Sequence, residues 1–115
     1  MNFEIKHIDD ITIFKLNELK LDANISGLVK AEFTLLVKAD DALKLIVDLT
    51  GVESCDSTGL STLLVANRLI GQNDGILKIV APSEKILQLI KITQLHRVLS
   101  LCDTVDAAIK EISEE

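Results

Sequence analysis

"LKLIVDLTGVESCDSTGLSTLL", residues 43–64, sets the architecture of the chain. It opens with "LKLIVDL" (43–49), short and nearly all apolar, a pattern that suits a strand covered on both faces. From Ser57 the apolar residues fall at helical spacing instead, with Leu60, Leu63, Leu64 and Ile70 able to face a core. A strand, a short loop and a helix therefore follow one another. At the junction stand Asp56, Ser57, Thr58 and Gly59, two hydroxyls between a carboxylate and a glycine.

The same periodicities extend in both directions. Upstream, "FEIKHI" (3–8) and "ITIFKL" (11–16) are strand-like and joined by Asp9-Asp10, an acceptable hairpin turn. Ile25, Val29, Phe33 and Leu36 predict a helix over Asp22–Ala39, in which Gly27 costs about 1 kcal/mol relative to alanine. Downstream, Gly71 to Gly75 marks a turn and "ILKIV" (76–80) a strand. Pro82 suits the first turn of a helix running to about Ile92, because its missing N–H would be unpaired there anyway. "VLSL" (98–101) predicts a last strand. Asp103 is then expected to cap a helix whose Val105, Ala108, Ile109 and Ile112 form one stripe.

The order ββαβαβαβα predicts an α/β fold: one layer of mixed, mostly parallel sheet with an N-terminal antiparallel hairpin, packed with about four helices. No linker or repeat divides the 115 residues, so a single domain over 1–115 is expected. In such sheets the loops at the carboxyl ends of strands are the default functional positions, and the quoted junction is one of them.

Composition narrows the function. Twelve Lys and Arg face 18 Asp and Glu, a net charge of −6, which argues against phosphate-backbone binding and against anionic membranes. With three Phe and no Trp or Tyr, base-stacking platforms are not expected either. "MNFEIKHIDD" lacks the basic and apolar regions of a signal peptide, and no apolar stretch approaches the ~20 residues of a membrane span. Cys55 and Cys102 form no C-x-x-C pair and read as reduced, mostly buried thiols. A cytoplasmic protein with no nucleic-acid partner, no membrane insertion, no metal and no cofactor is the expectation.

The junction itself admits several chemistries. Asp and Ser are favoured N-caps, so capping without function explains Asp56 or Ser57, although it requires no second hydroxyl at Thr58. A nucleophile elbow would need glycine where Cys55 stands and a base near Ser57; only His7 and His96 are available, on an early strand and in an expected helix-to-strand turn. Neither a P-loop nor a dinucleotide fingerprint occurs, and the doublets Asp9-Asp10 and Asp40-Asp41 read as solvated turns. No catalytic residue is assigned. The remaining reading is a protein–protein switch, since a helix-start Thr is open to a kinase and would gain about −1.5 to −2 charge. Thr58, Thr62, Val65 and Leu69 share a second helix face, which serves either as a partner's contact patch or as packing under a neighbouring helix.

On "LIVDLTGVESCDSTGLSTLL", with D-S-[ST]-G-[LM] opening a helix after a strand, the chain resembles the STAS domains of bacterial anti-sigma factor antagonists. The hairpin, the glycine turn before "ILKIVAPSEKILQLIKITQL" and the last strand and helix agree with that family, so the resemblance spans essentially the whole chain. It implies that Thr58 is the phosphoacceptor, that Asp56 holds the loop and contacts the kinase, that Ser57 helps cap the helix, and that Gly59 admits partner backbone. With Asp22, Thr62 and Val65 these make the expected partner-binding set. The implied partners are an anti-sigma factor with serine/threonine kinase activity, released on phosphorylation, and a metal-dependent serine/threonine phosphatase that resets the switch. A STAS scaffold or adaptor subunit of a transporter or signalling complex, without regulated phosphorylation, is the alternative. The family's G-E-L-D before the first helix corresponds to "NELKLDANIS", where Asp22 matches the final aspartate but Leu19 or Lys20 stands near the glycine position. Its Ser-Gly-Leu after the third helix is Thr93-Gln94-Leu95 here, and threonine at 58 is bulkier and stiffer at χ1 than serine.

Overall fold

A computed structural model describes residues 1–39 and 42–114; the expected turn at Asp40-Asp41 lies outside the described residues. Alternation in the first sixteen residues produces an antiparallel hairpin, β1 (Phe3–Ile8) and β2 (Ile11–Leu16), with Phe3 opposite Leu16 and Ile8 opposite Ile11. Asp9 turns the chain at φ 53°, a left-handed conformation that aspartate tolerates better than most residues. Next to β2 lie, all parallel, β4 (Lys44–Asp48), β6 (Ile76–Val80) and β7 (Leu101–Cys102), which gives the order β1-β2-β4-β6-β7. The predicted fold class is the one observed.

Because β4 is central, it is buried on both faces, as its unbroken apolar run requires. Leu45 and Val47 join Phe14, Leu63, Ile79 and Ile86 in the larger core. That core is closed by α1 (Ser26–Thr34), α2 (Ser57–Gln72) and α3 (Glu84–Ile92). Ile46 points to the opposite face, where Ile11, Ile13 and Val80 meet Ala108 and Ile112 of α4 (Val105–Ser113). At the hairpin end, Phe14 stacks on Phe3 and meets Phe33 edge-on, both with ring centroids 5.1 Å apart.

Several boundaries differ from the sequence expectation, each for a local reason. The first helix begins at Ser26 rather than Asp22, because Asp22 organises a turn instead: its carbonyl accepts from the Ser26 amide (3.0 Å) and Ser26 Oγ (2.7 Å), and its Oδ1 accepts from the Asn24 amide (3.0 Å). After Thr34 the helix widens over Leu35–Ala39 into i→i+5 winding. Pro82 stands before the N-cap, Ser83, and so outside the first turn of α3. The last strand is Leu101–Cys102 rather than 98–101, since Leu95–Arg97 form a single 3₁₀ turn entered through Gln94 at φ 62°. Thr104, not Asp103, caps α4, its Oγ1 accepting from the Ala107 amide at 3.1 Å.

One element has no counterpart in the sequence reading: a two-stranded parallel sheet of β3 (Lys20–Leu21) and β5 (Ser54–Cys55), with Leu21 opposite Cys55.

Phe14 is fully buried against two other rings, so Phe14→Ala is expected to lower stability by about 3–5 kcal/mol. Ile92→Ala, at a residue 79% exposed, should change it by no more than about 0.5 kcal/mol. Urea unfolding followed by circular dichroism checks both, in a chain without Trp or Tyr.

Candidate functional site

The site lies where β5 hands over to α2. Asp56 is the N-cap of α2: its extended backbone lets Oδ1 accept from the Gly59 amide at 2.7 Å, and its carbonyl accepts from the Leu60 amide at 2.9 Å. The second carboxylate oxygen reaches outside the helix and accepts from the Ala23 amide at 3.3 Å. One side chain thus fixes the helix start to the loop that leads from β3 into α1.

Gly59 is buried, and the reason is a close approach within the chain. A Cβ there would sit 2.0 Å from the Leu21 carbonyl oxygen and 2.9 Å from Cys55 Sγ. Leu21 also accepts from the Asp56 amide at 3.3 Å, and Leu19 accepts from the Glu53 amide at 2.8 Å. The small β3–β5 sheet therefore presses directly on the first turn of α2, and only glycine leaves room. Gly59 does not lie open to partner backbone, as the family comparison implied; Leu21 occupies that side.

The other expected residues separate into an exposed and a buried group. Ser57 and Thr58 are both exposed on the first turn. Asp56 alone makes the side-chain cap, so Ser57 has no capping role. The Thr58 carbonyl accepts from Ser61 Oγ at 2.6 Å and Thr62 Oγ1 at 3.3 Å, which ties down its backbone while its side chain stays at the surface. Thr62 is fully buried and Leu69 nearly so, and Val65 packs partly against the larger core. The second face of α2 is thus packing rather than an exposed contact patch. Thr62 is removed from any docking surface, and beyond Thr58 itself only Val65 of that face keeps partial exposure. Asp22 is half-buried beside the site and borders, with Leu19, Asn24 and Ile25, a shallow depression of about 380 Å³.

Sequence reasoning missed Leu21 and Ala23, which carry the contacts to Gly59 and Asp56, and Ser83, whose Oγ donates to the Glu53 carbonyl at 2.8 Å and steadies the approach to β5. A two-residue strand is too short to show alternation, so no periodic signal marked β3 or β5. The oddity of a glycine three residues after a cap was the available clue.

Among the described residues no histidine is hydrogen-bonded to Ser57 or Thr58. His7 lies on β1, its Nδ1 3.4 Å from Thr12 Oγ1, and His96 is exposed in the turn after α3. Burial, then the carboxylates of Asp56 and Asp22, pushes the Cys55 thiol up to about 12. Cys102, buried and donating to Glu111 Oε2 at 2.8 Å, is pushed up to about 11. Among the described residues no group of three or more His, Cys, Asp or Glu could hold a metal ion, and no helix is long and apolar enough to cross a membrane.

Comparison with known proteins follows the same lines. The STAS domain family model matches residues 2–108. A Thermotoga maritima protein named as a candidate anti-sigma factor antagonist is 27% identical over 110 residues, 96% of either chain. A crystal structure of a candidate anti-sigma factor antagonist from the same organism is 28% identical, with a TM-score of 0.87 over 96% of this chain and 94% of that one. The unphosphorylated anti-sigma factor antagonist SpoIIAA superposes with a TM-score of 0.77 over 99% of this chain and all of its own; at 16% identity that likeness speaks for the fold alone.

Two outcomes test the site geometry. Gly59→Ala should destabilise the protein by well over the ~1 kcal/mol by which alanine ordinarily favours a helix, because a backbone carbonyl occupies the space. Gly71→Ala, with nothing within 4 Å, should not destabilise, and thermal melts compare the two. At pH 8 a thiol of pKa about 12 is thiolate in on the order of one molecule in 10⁴, so Cys55 in the native protein should alkylate far more slowly than in the unfolded chain, by timed mass spectrometry.

Proposed function

The chain belongs to the STAS domain family, and from that membership we propose that it is a cytoplasmic anti-sigma factor antagonist, a binding protein and not an enzyme, switched at Thr58. In its unmodified form it binds an anti-sigma factor that is also a serine/threonine kinase and so frees a sigma factor. Phosphorylation of Thr58 ends that contact, and a metal-dependent serine/threonine phosphatase reverses it. The single observation that carries the reading is the exposed Thr58 side chain on the first turn of α2, beside a cap that Asp56 completes without it.

The energetics favour a switch rather than a change of fold. A phosphate on Thr58 carries about −1.5 to −2 charge, which the helix N-terminus stabilises by ~0.3–1 kcal/mol at an exposed site. No acidic residue stands in the first turn to oppose it, although Asp56 at the cap does. In the free protein these effects nearly offset each other. Enclosed by a partner, the same charge without a counter-ion costs ~3–5 kcal/mol. The modified protein is stable alone and unstable in the complex.

The docking surface then centres on Ser57 and Thr58, with Asp22 and Asp56 at its edge and the half-exposed flank of Val65 beyond. Gly59 shapes it from beneath.

Thr58→Glu is expected to weaken binding to the cognate kinase-type anti-sigma factor by about 10²-fold or more, and Thr58→Ala to bind without regulation. Calorimetry of both variants, with intact mass of the native protein after incubation with partner and ATP, decides the matter. Equal affinity of the two variants and no gain of a phosphate would instead indicate an adaptor or scaffold subunit of a larger complex.

A further inference from the structure

The hairpin leaves β1 at the edge of the five-stranded sheet, with one side of its backbone unpaired by any strand among the described residues. Five of its six residues are exposed, Ile5 and Ile8 among them at 38% and 41%. An edge of six residues with apolar side chains is a template for strand addition unless something blunts it. Lys6 and Glu4 are the charges that could do so, and their arrangement selects one occupant.

Which backbone groups are open follows from the register. Asn2 stands opposite Asn17 and its carbonyl accepts from the Asn17 amide at 2.9 Å, so that pair is hydrogen-bonded. Bonded pairs alternate in an antiparallel ladder, and the even-numbered residues of β1 therefore turn their amides and carbonyls to β2. Those of Phe3, Ile5 and His7 face outward.

We propose that this edge joins two copies of the chain, antiparallel, about a two-fold axis midway between the two copies of Ile5. An axis perpendicular to the sheet keeps each face on its own side, so one residue must stand opposite its own copy across it. Centred on Lys6 it would oppose lysine to lysine, and centred on Glu4, glutamate to glutamate. Centred on Ile5 it sets Ile5 against Ile5, Phe3 against His7, and Glu4 against Lys6 on both sides. The outward amides and carbonyls of Phe3, Ile5 and His7 then pair with those of the second copy, and two sheets become one. The same two charges that deter an arbitrary strand specify this one.

Sedimentation velocity of the full chain over a concentration series tests this. The native protein should associate to a dimer. Glu4→Lys and Lys6→Glu should each weaken association roughly tenfold or more, since both cross-strand pairs become like-charged. Mixing these two variants should restore it, and so should the double swap E4K/K6E. Amide exchange supplies a readout without substitution: protection at Phe3, Ile5 and His7 should rise with concentration, while Glu4, Lys6 and Ile8 are protected throughout. A native protein that stays monomeric, single variants that associate like the native chain, or a double swap as weak as the singles would overturn the proposal.

Discussion

Everything at the candidate site depends on how closely the Leu21 carbonyl approaches the Cα of Gly59. That contact lets β3 lie against the first turn of α2, and it aligns Leu21 with Cys55 and Ala23 with the Asp56 carboxylate. A Cβ at 59 would force the strand away and break the bond from Ala23 with it. Gly59 is needed here for space rather than for backbone freedom, since its φ is negative. The helix start is therefore held from three sides: by its own cap, by the small sheet beneath, and by the Ser83–Glu53 bond at the approach to β5.

This clamping bears on recognition. A partner that docks on Ser57 and Thr58 meets a surface whose backbone is already ordered, so little conformational entropy is lost on binding. The Thr58 carbonyl is engaged by Ser61 and Thr62, while the side chain on the adjoining Cα is exposed. Adding a phosphate changes charge and size at one point without loosening what surrounds it. In the proposed switch the effect of modification is consequently confined to the interface.

The layer structure was legible in the sequence because its signals are periodic. The apolar run of β4, the alternation of the hairpin and the stripes of α2 and α4 each repeat often enough to identify face and period. What was not legible depends on single contacts. The β3–β5 sheet has two residues per strand, too few for a pattern, and the role of Gly59 is a clash that only the position of Leu21 reveals. Burial of Thr62 was hidden because threonine tolerates both surface and core: its hydroxyl is satisfied by the carbonyl one turn back, which lets it join the packing. By residue type Asp103 is the better cap, and only the structure shows that Thr104 takes that place.

The structure also gives Thr58 no part in the helix cap. From the sequence, capping explained Asp56 or Ser57 but required no second hydroxyl at Thr58. Asp56 makes the cap by itself, and the β-branched side chain of Thr58 then sits at the second position of a helix where it has neither a capping role nor a good intrinsic propensity. Stability would be better served there by an acidic residue, which the positive end of the helix favours by ~0.3–1 kcal/mol, yet the first turn of α2 has none. A neutral, exposed hydroxyl at a place that favours negative charge is poorly suited to holding the fold. It is well suited to gaining that charge later, from an enzyme, and the proposed switch gives it a reason to be there.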